Sequence, residues 1–182
     1  MSSAGSVERR DRLRLFCALR LPADTLDALE AWSRRELSER IVARTNLHVT
    51  LAFLGARPSA ELAEICGATR AAAAAAGPVV LEPADYRETR SVGMVVLADR
   101  EGVAAALAAD LHGRLEALGV YERERRQWAP HVTVIRFRER PGLRPPLPAL
   151  GPFSPSDAAV YLSRLRSSGA EYEVVESFAL GG

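Results

Sequence analysis

Lysine is absent from this chain: all 24 basic residues are arginine. Every cation is therefore a planar fork, a shape suited to phosphate and carboxylate. Alongside so many alanines, the choice of arginine reflects genome composition more than a phosphate-binding design. With 23 acidic residues the formal net charge is only +1, which argues neither for nor against a nucleic-acid partner. Cysteine is scarce as well. Cys17 and Cys66 lie in apolar contexts, without Cys-x-x-Cys or Cys/His spacing, so buried free thiols in a reducing compartment are expected, and neither a disulfide framework nor a zinc site. Long apolar runs are missing. The first candidate, Leu13 to Leu21, is broken by Arg14 and Arg20, and the polar stretch from Met1 to Arg12 has no hydrophobic signal region. No signal peptide, no membrane span and a cytoplasmic location are the expectation.

The 182 residues, 48% hydrophobic and 26% charged, suffice for one sizeable domain or one domain of two lobes. Residues 1–12 read as a disordered tail and 13–182 as a single folded unit. Leu13–Leu21 reads as a strand. Pro22 opens a helix to about Arg40 that carries Leu26, Leu29, Trp32 and Leu37 on one face. A strand follows over 46–54, closed by Gly55 and Arg57-Pro58. A second helix runs from about Ser59 through the alanines 71–76 to Gly77-Pro78. Val79–Tyr86 and Val92–Leu97 form two strands of a hairpin. A third helix from Glu101 ends at Gly119, and a strand occupies 130–138. The Pro-rich connection from Pro141 to Pro155 contains no element. Ala158–Leu165 and Tyr172–Leu180 are the last strands. The order β-α-β-α-β-β-α-β-β-β favours an α+β fold with mostly antiparallel sheet.

Histidine is also rare, with three in the chain, yet two of them open the same tripeptide: His48-Val49-Thr50 and His131-Val132-Thr133. On a strand, residues two apart share a face. Each motif thus sets an imidazole beside a hydroxyl, backed by an apolar face. Either histidine alone reads as a structural residue; the repetition is what carries a functional reading. Two such strands facing one another suit phosphodiester cleavage without a metal. One imidazole serves as base to water and the other as acid to the departing oxygen, since histidine titrates near neutrality at about 6.5. Thr50 and Thr133 supply O–H donors to the non-bridging oxygens. A metal reading is poorer, because no Asp, Glu or Cys lies close to either motif.

Other residues are read more blandly. His112, on the third helix, is taken as a surface residue. Arg136 lies five residues after His131, as Phe53 does after His48. Strict alternation turns Arg136 away from the imidazole unless a bulge re-aims it. Phe53, Tyr121 and Trp128 read as core in preference to base-stacking platforms. Arg123, Arg125 and Arg126 form a solvated cluster or a guide for an RNA backbone. Tyr161, Ser163 and Arg164 either line the cleft or alternate in and out.

The stretches Leu15–Leu19, Asn46–Gly55, Ala129–Arg136, Tyr161–Leu165 and Tyr172–Leu180 together resemble the 2H phosphoesterase superfamily. Within it they are most similar to the RNA 2′,3′-cyclic phosphodiesterases, also called 2′-5′ RNA ligases. The resemblance implies a bilobal fold about a pseudo-twofold axis, one lobe holding both chain ends and the other the middle, around a central cleft. It implies hydrolysis of RNA 2′,3′-cyclic phosphate ends to 2′-phosphomonoesters, with 2′-5′ ligation as the reverse reaction and no metal or nucleotide cofactor. His48 takes the role of proton donor and His131 of proton acceptor; Thr50, Thr133 and Arg136 hold phosphate. The partner is an RNA end or a small cyclic nucleotide, and a monomer is expected. Two features depart from the family pattern: Val42-Ala43-Arg44-Thr45 lacks a proline-rich lead-in, and Ile135 stands where Ala is frequent. A 2H enzyme for a small cyclic nucleotide or a cyclic ADP-ribose phosphate, and a non-catalytic RNA-end binder, are the alternatives.

Overall fold

The computed structural model describes residues 11–38 and 40–181. Ten elements follow in the expected order: β1 (Arg12–Arg20), α1 (Ala23–Glu36), β2 (Val49–Pro58), α2 (Leu62–Ala75), β3 (Glu82–Glu88), β4 (Val92–Ala98), α3 (Val103–Ala117), β5 (His131–Arg136), β6 (Asp157–Arg166) and β7 (Gly169–Ala179). All seven strands join one antiparallel sheet in the order β3-β4-β5-β2-β1-β6-β7. The α+β reading holds. The two expected lobes are halves of this sheet: β2, β1, β6 and β7 carry the chain ends, and β3, β4 and β5 the middle. Within the strands, a single residue pair, Val49 with Val132, joins the halves.

Strand β1 explains why the sheet has two covered faces. Leu15 through Leu19 are all buried, which a strand alternating with water would not allow. Leu15, Cys17 and Leu19 enter the main core beneath the helices, while Phe16 and Ala18 join Ala159 and Tyr161 on the opposite face. The alanine run in α2 serves the first face: Ala72 and Ala73 are buried, and their small side chains let the helix approach the sheet closely. There Thr69 donates to the Ile65 carbonyl and lies 3.4 Å from Cys17 Sγ. Both thiols are buried and unpaired, as expected. Burial pushes the Cys17 thiol up to about 12.

Several boundaries differ from the sequence reading. The expected tail lies outside the described residues up to position 10. Asp11 and Arg12 are part of the fold: the Asp11 carbonyl accepts from Ser59 N–H, and Arg12 begins β1. Helix α1 stops at Glu36, four residues short of expectation, because the following segment is recruited by the sheet. Ile41 bridges to Ile135, and Val42 N–H donates to the Val134 carbonyl. Arg40 adopts φ +67° to make that turn, a left-handed conformation with a cost for a residue with a Cβ. Residues 141–155 hold no helix or strand, as read, apart from the Leu81–Phe153 bridge. The segment is tied down by Glu88, whose carboxylate accepts from Gly142 and Leu143 N–H, and by Pro146, whose carbonyl accepts from Trp32 Nε1. No described helix is long and apolar enough to cross a membrane.

Candidate active site

The first motif does not sit in a plain strand. Arg44–Asn46 is a turn of 3₁₀ helix, and His48 lies one residue ahead of β2. The strand then continues past Gly55 to Pro58 instead of closing there. Its pairing with β1 is interrupted twice. Thr50 faces Ala18 and Ala52 faces Cys17, so Leu51 is an extra residue; Phe53 faces Phe16 and Gly55 faces Leu15, so Leu54 is another. Each bulge inverts the alternation beyond it. Phe53, expected in the core, emerges on the Thr50 face with 49% of its surface exposed.

The second motif follows the same plan. In the β4–β5 pairing Met94 faces Thr133 and Gly93 faces Ile135, which leaves Val134 as an extra residue. Val134 and Ile135 are both buried, and Arg136 is turned outward onto the face of Thr133. The bulge that an Arg136 contact required is present.

Between the motifs, Val49 pairs with Val132 in an antiparallel sense. About that pair, His48 and Thr133 lie to one side along the strands and Thr50 and His131 to the other. The imidazoles are thus diagonal neighbours about the Val49–Val132 pair. Their charges are close enough to interact, for a proton on His131 disfavours one on His48. The rings are also oriented alike. His48 Nδ1 is 2.8 Å from the Asn46 carbonyl, and His131 Nδ1 is 3.0 Å from the Ala129 carbonyl. A carbonyl only accepts, so Nδ1 holds the hydrogen in both rings and Nε2 is the nitrogen left free of the backbone. In His48 that Nε2 accepts from the Thr50 hydroxyl at 2.9 Å.

His48 rests on aromatic surface: its ring centroid is 4.8 Å from Phe16, 5.4 Å from Tyr172 and 6.0 Å from Tyr161. Burial, opposed by the Asn46 carbonyl and reinforced by the His131 and Arg136 charges, pushes its pKa down to about 4. The free imidazole is neutral.

An open groove of about 1350 Å³ runs over this face. His48, Thr50, Thr133 and Arg136 are in its wall with Arg14, Arg40, Asn46 and Phe53, and the β6–β7 hairpin with Ser163, Arg164 and Arg166 closes one side. Asn46 Nδ2 donates to the Ala170 carbonyl and ties the first motif to that hairpin. His131 is not in the wall. Arg164 and Arg166 pair with Glu173 and Glu171, whereas Arg14 and Arg136 have no ion pair among the described residues. Arg123, Arg125 and Arg126 lie outside the groove, and Arg123 pairs with Glu116. Among the described residues no three His, Cys, Asp or Glu side chains converge as a metal site requires.

Two supporting residues escaped the sequence reading. His112 is buried, not at the surface: its Nε2 donates to the Leu51 carbonyl at 2.7 Å and its ring packs on Tyr121. Trp128 donates through Nε1 to the Thr50 carbonyl at 3.0 Å. Beyond Val49 strand β2 has parted from β5, and these two side chains satisfy carbonyls of the parted, bulged segment. Their aromatic character was visible in the sequence, but no local pattern names a carbonyl across the sheet as the partner.

A family model described as the 2′-5′ RNA ligase superfamily matches residues 20–166. An RNA 2′,3′-cyclic phosphodiesterase of Geobacillus stearothermophilus is 28% identical over 94% of this chain; the chain spans 58% of that relative's length. The fold is shared with TT0787 of Thermus thermophilus, at TM-score 0.78 and 27% identity over 93% of this chain and 99% of that one. It is likewise shared with E. coli LigT complexed with 3′-AMP, at TM-score 0.75 and 24% identity over 94% and 99%.

Proposed function

The chain belongs to the 2′-5′ RNA ligase superfamily of 2H phosphoesterases, and from that membership we propose that it opens the 2′,3′-cyclic phosphate at an RNA end to a 2′-phosphomonoester. The observation that carries this reading is the register about Val49 and Val132, which gathers two imidazoles and two hydroxyls on one face with both Nδ1 atoms tied back to carbonyls. Water attacks phosphorus while His131 Nε2 takes its proton. The bond from phosphorus to the 3′ oxygen breaks, and His48 Nε2 gives that oxygen a proton. Thr50 and Thr133 donate to the non-bridging oxygens, and Arg136 offsets their charge.

His48 is neutral in the free protein, so the donor role depends on the substrate. A phosphate anion draws the Thr50 hydroxyl to itself, leaves Nε2 without its donor, and favours a proton there. Ligation is the same ring opening with the 5′-hydroxyl of a second RNA in place of water: the bond to its 5′ oxygen forms as the bond to the 3′ oxygen breaks, leaving a 2′-5′ phosphodiester. The groove volume of about 1350 Å³ exceeds the roughly 300–1000 Å³ of a small-molecule site, which favours a strand of RNA over an isolated cyclic nucleotide. The Geobacillus relative bears the name of this activity.

The test is incubation of RNA ending in a 2′,3′-cyclic phosphate with the protein in chelator, followed by identification of the monoester. A 2′-monoester supports the reading. A 3′-monoester reverses the leaving group, and binding without turnover marks an RNA-end binder.

A further inference from the structure

Strand β5 changes partner along its length. Val132 pairs with Val49 of β2, but further on the neighbour is the segment that precedes the first motif. Arg136 N–H donates to the Arg40 carbonyl at 3.1 Å and Val42 N–H to the Val134 carbonyl at 2.8 Å, flanking the antiparallel Ile41–Ile135 bridge. That register sets Arg40 directly across from Arg136, so their side chains share a face. It is the groove face: Ile135 belongs to the core and Ile41 packs against it, while Arg40 and Arg136 both line the groove.

Like charges directly across a strand pair repel. Arg164 and Arg166 of the same groove are paired with Glu173 and Glu171, whereas neither Arg40 nor Arg136 has an ion pair among the described residues. Arg40 also holds φ +67° and is the one non-glycine residue with positive φ among the described residues. Glycine would adopt that conformation without strain. The repulsion and the strain fall together on an exposed residue, and an anion shared by the two guanidiniums offsets both. Arg136 is close enough to His48 for its charge to be felt there, so the pair stands at the His48 end of the groove.

We propose that Arg40 and Arg136 span two successive phosphates of an RNA strand, Arg136 at the terminal cyclic phosphate and Arg40 at the phosphodiester immediately 5′ to the terminal nucleotide. This rests on the activity proposed above and deepens it: the substrate is the end of a chain, because a mononucleotide lacks the second anion. Same-face positions on a strand are about 7 Å apart. With Val134 as the extra residue, the arginine pair lies one such step beyond Thr133, within the reach of one nucleotide of an extended strand. A guanidinium grips two phosphate oxygens at once, and a contact of this kind gives affinity without base preference.

The experiment compares two oligonucleotides of one sequence, both ending in a 2′,3′-cyclic phosphate. One is phosphodiester throughout, and the other has an uncharged methylphosphonate as its last internucleotide linkage. The wild-type protein prefers the charged linkage in kcat/KM by roughly tenfold, carried in KM. Arg40→Gly, which relieves the positive-φ strain and so spares the fold, brings that ratio towards one. It also lowers the slope of log KM on log salt by about 0.7 for the charged strand. A wild-type ratio near one, or a ratio unchanged in Arg40→Gly, overturns the proposal. If the wild type opens neither strand, the activity reading fails by itself. Fluorescence anisotropy with the same two strands carrying a terminal 2′-phosphate then decides the Arg40 contact: tighter binding of the charged linkage, lost in Arg40→Gly, sustains it, and equal binding removes it.

Discussion

The indole of Trp128 donates to the carbonyl of Thr50 at 3.0 Å, so the approach to the second histidine is pinned to the strand that follows the first. His112 does the same for Leu51, one residue on. Losing either donor leaves a carbonyl unsatisfied inside the molecule, at a cost of about 1–3 kcal/mol. Trp128→Phe and His112→Phe are each expected to lower the unfolding midpoint in urea with little change in slope. Unchanged midpoints would mean that water replaces both donors.

Removal of either imidazole is expected to slow cyclic-phosphate opening by roughly 10²–10⁴. Single-turnover rates of His48→Ala and His131→Ala measure this. Thr50→Val and Thr133→Val should cost less than either histidine change. Equal losses would show that the hydroxyls do more than hold phosphate.

Proton binding by His48 links the proposed catalysis to stability. Its folded pKa, down to about 4, lies below the ordinary value of about 6.5, so between these limits the unfolded chain binds the proton more readily. The neutral ring's contribution to stability is therefore full above pH 6.5 and is lost as pH falls towards 4. Urea unfolding from pH 7 to 4 should show this loss in the wild type and a smaller one in His48→Gln. An NMR titration should place the His48 midpoint near the low limit and move it upward when inorganic phosphate is added.

Arg136 acts on His48 through its charge, helping hold that imidazole neutral. Arg136→Gln is expected to raise the His48 midpoint in the same titration while raising KM for the RNA substrate. A raised KM with an unmoved midpoint would separate phosphate contact from the influence on His48.

Activity is expected to survive EDTA, since the proposed steps use only imidazoles, hydroxyls and a guanidinium. Loss in EDTA with recovery on adding zinc would replace the mechanism.

Much of this protein was legible in one dimension. Apolar periodicity ordered all ten elements, because burial of one face per element leaves its period in the sequence. The repeated His-Val-Thr pointed to the two segments that meet at the Val49–Val132 pair. Two residues show where such reading stops. Phe53 follows the alternation of its neighbours into the core on paper and stands in the groove in space. His112 looks like one polar residue on a helix and is buried against a strand carbonyl.

Residue order along the chain sets which side chains recur around the two histidines and the succession of helices and strands. The direction in which those side chains face is fixed in three dimensions. A bulge arises from how a strand pairs with its neighbour, here Leu51 against β1 and Val134 against β4. That pairing is settled when the sheet closes over its core, and no local period encodes it.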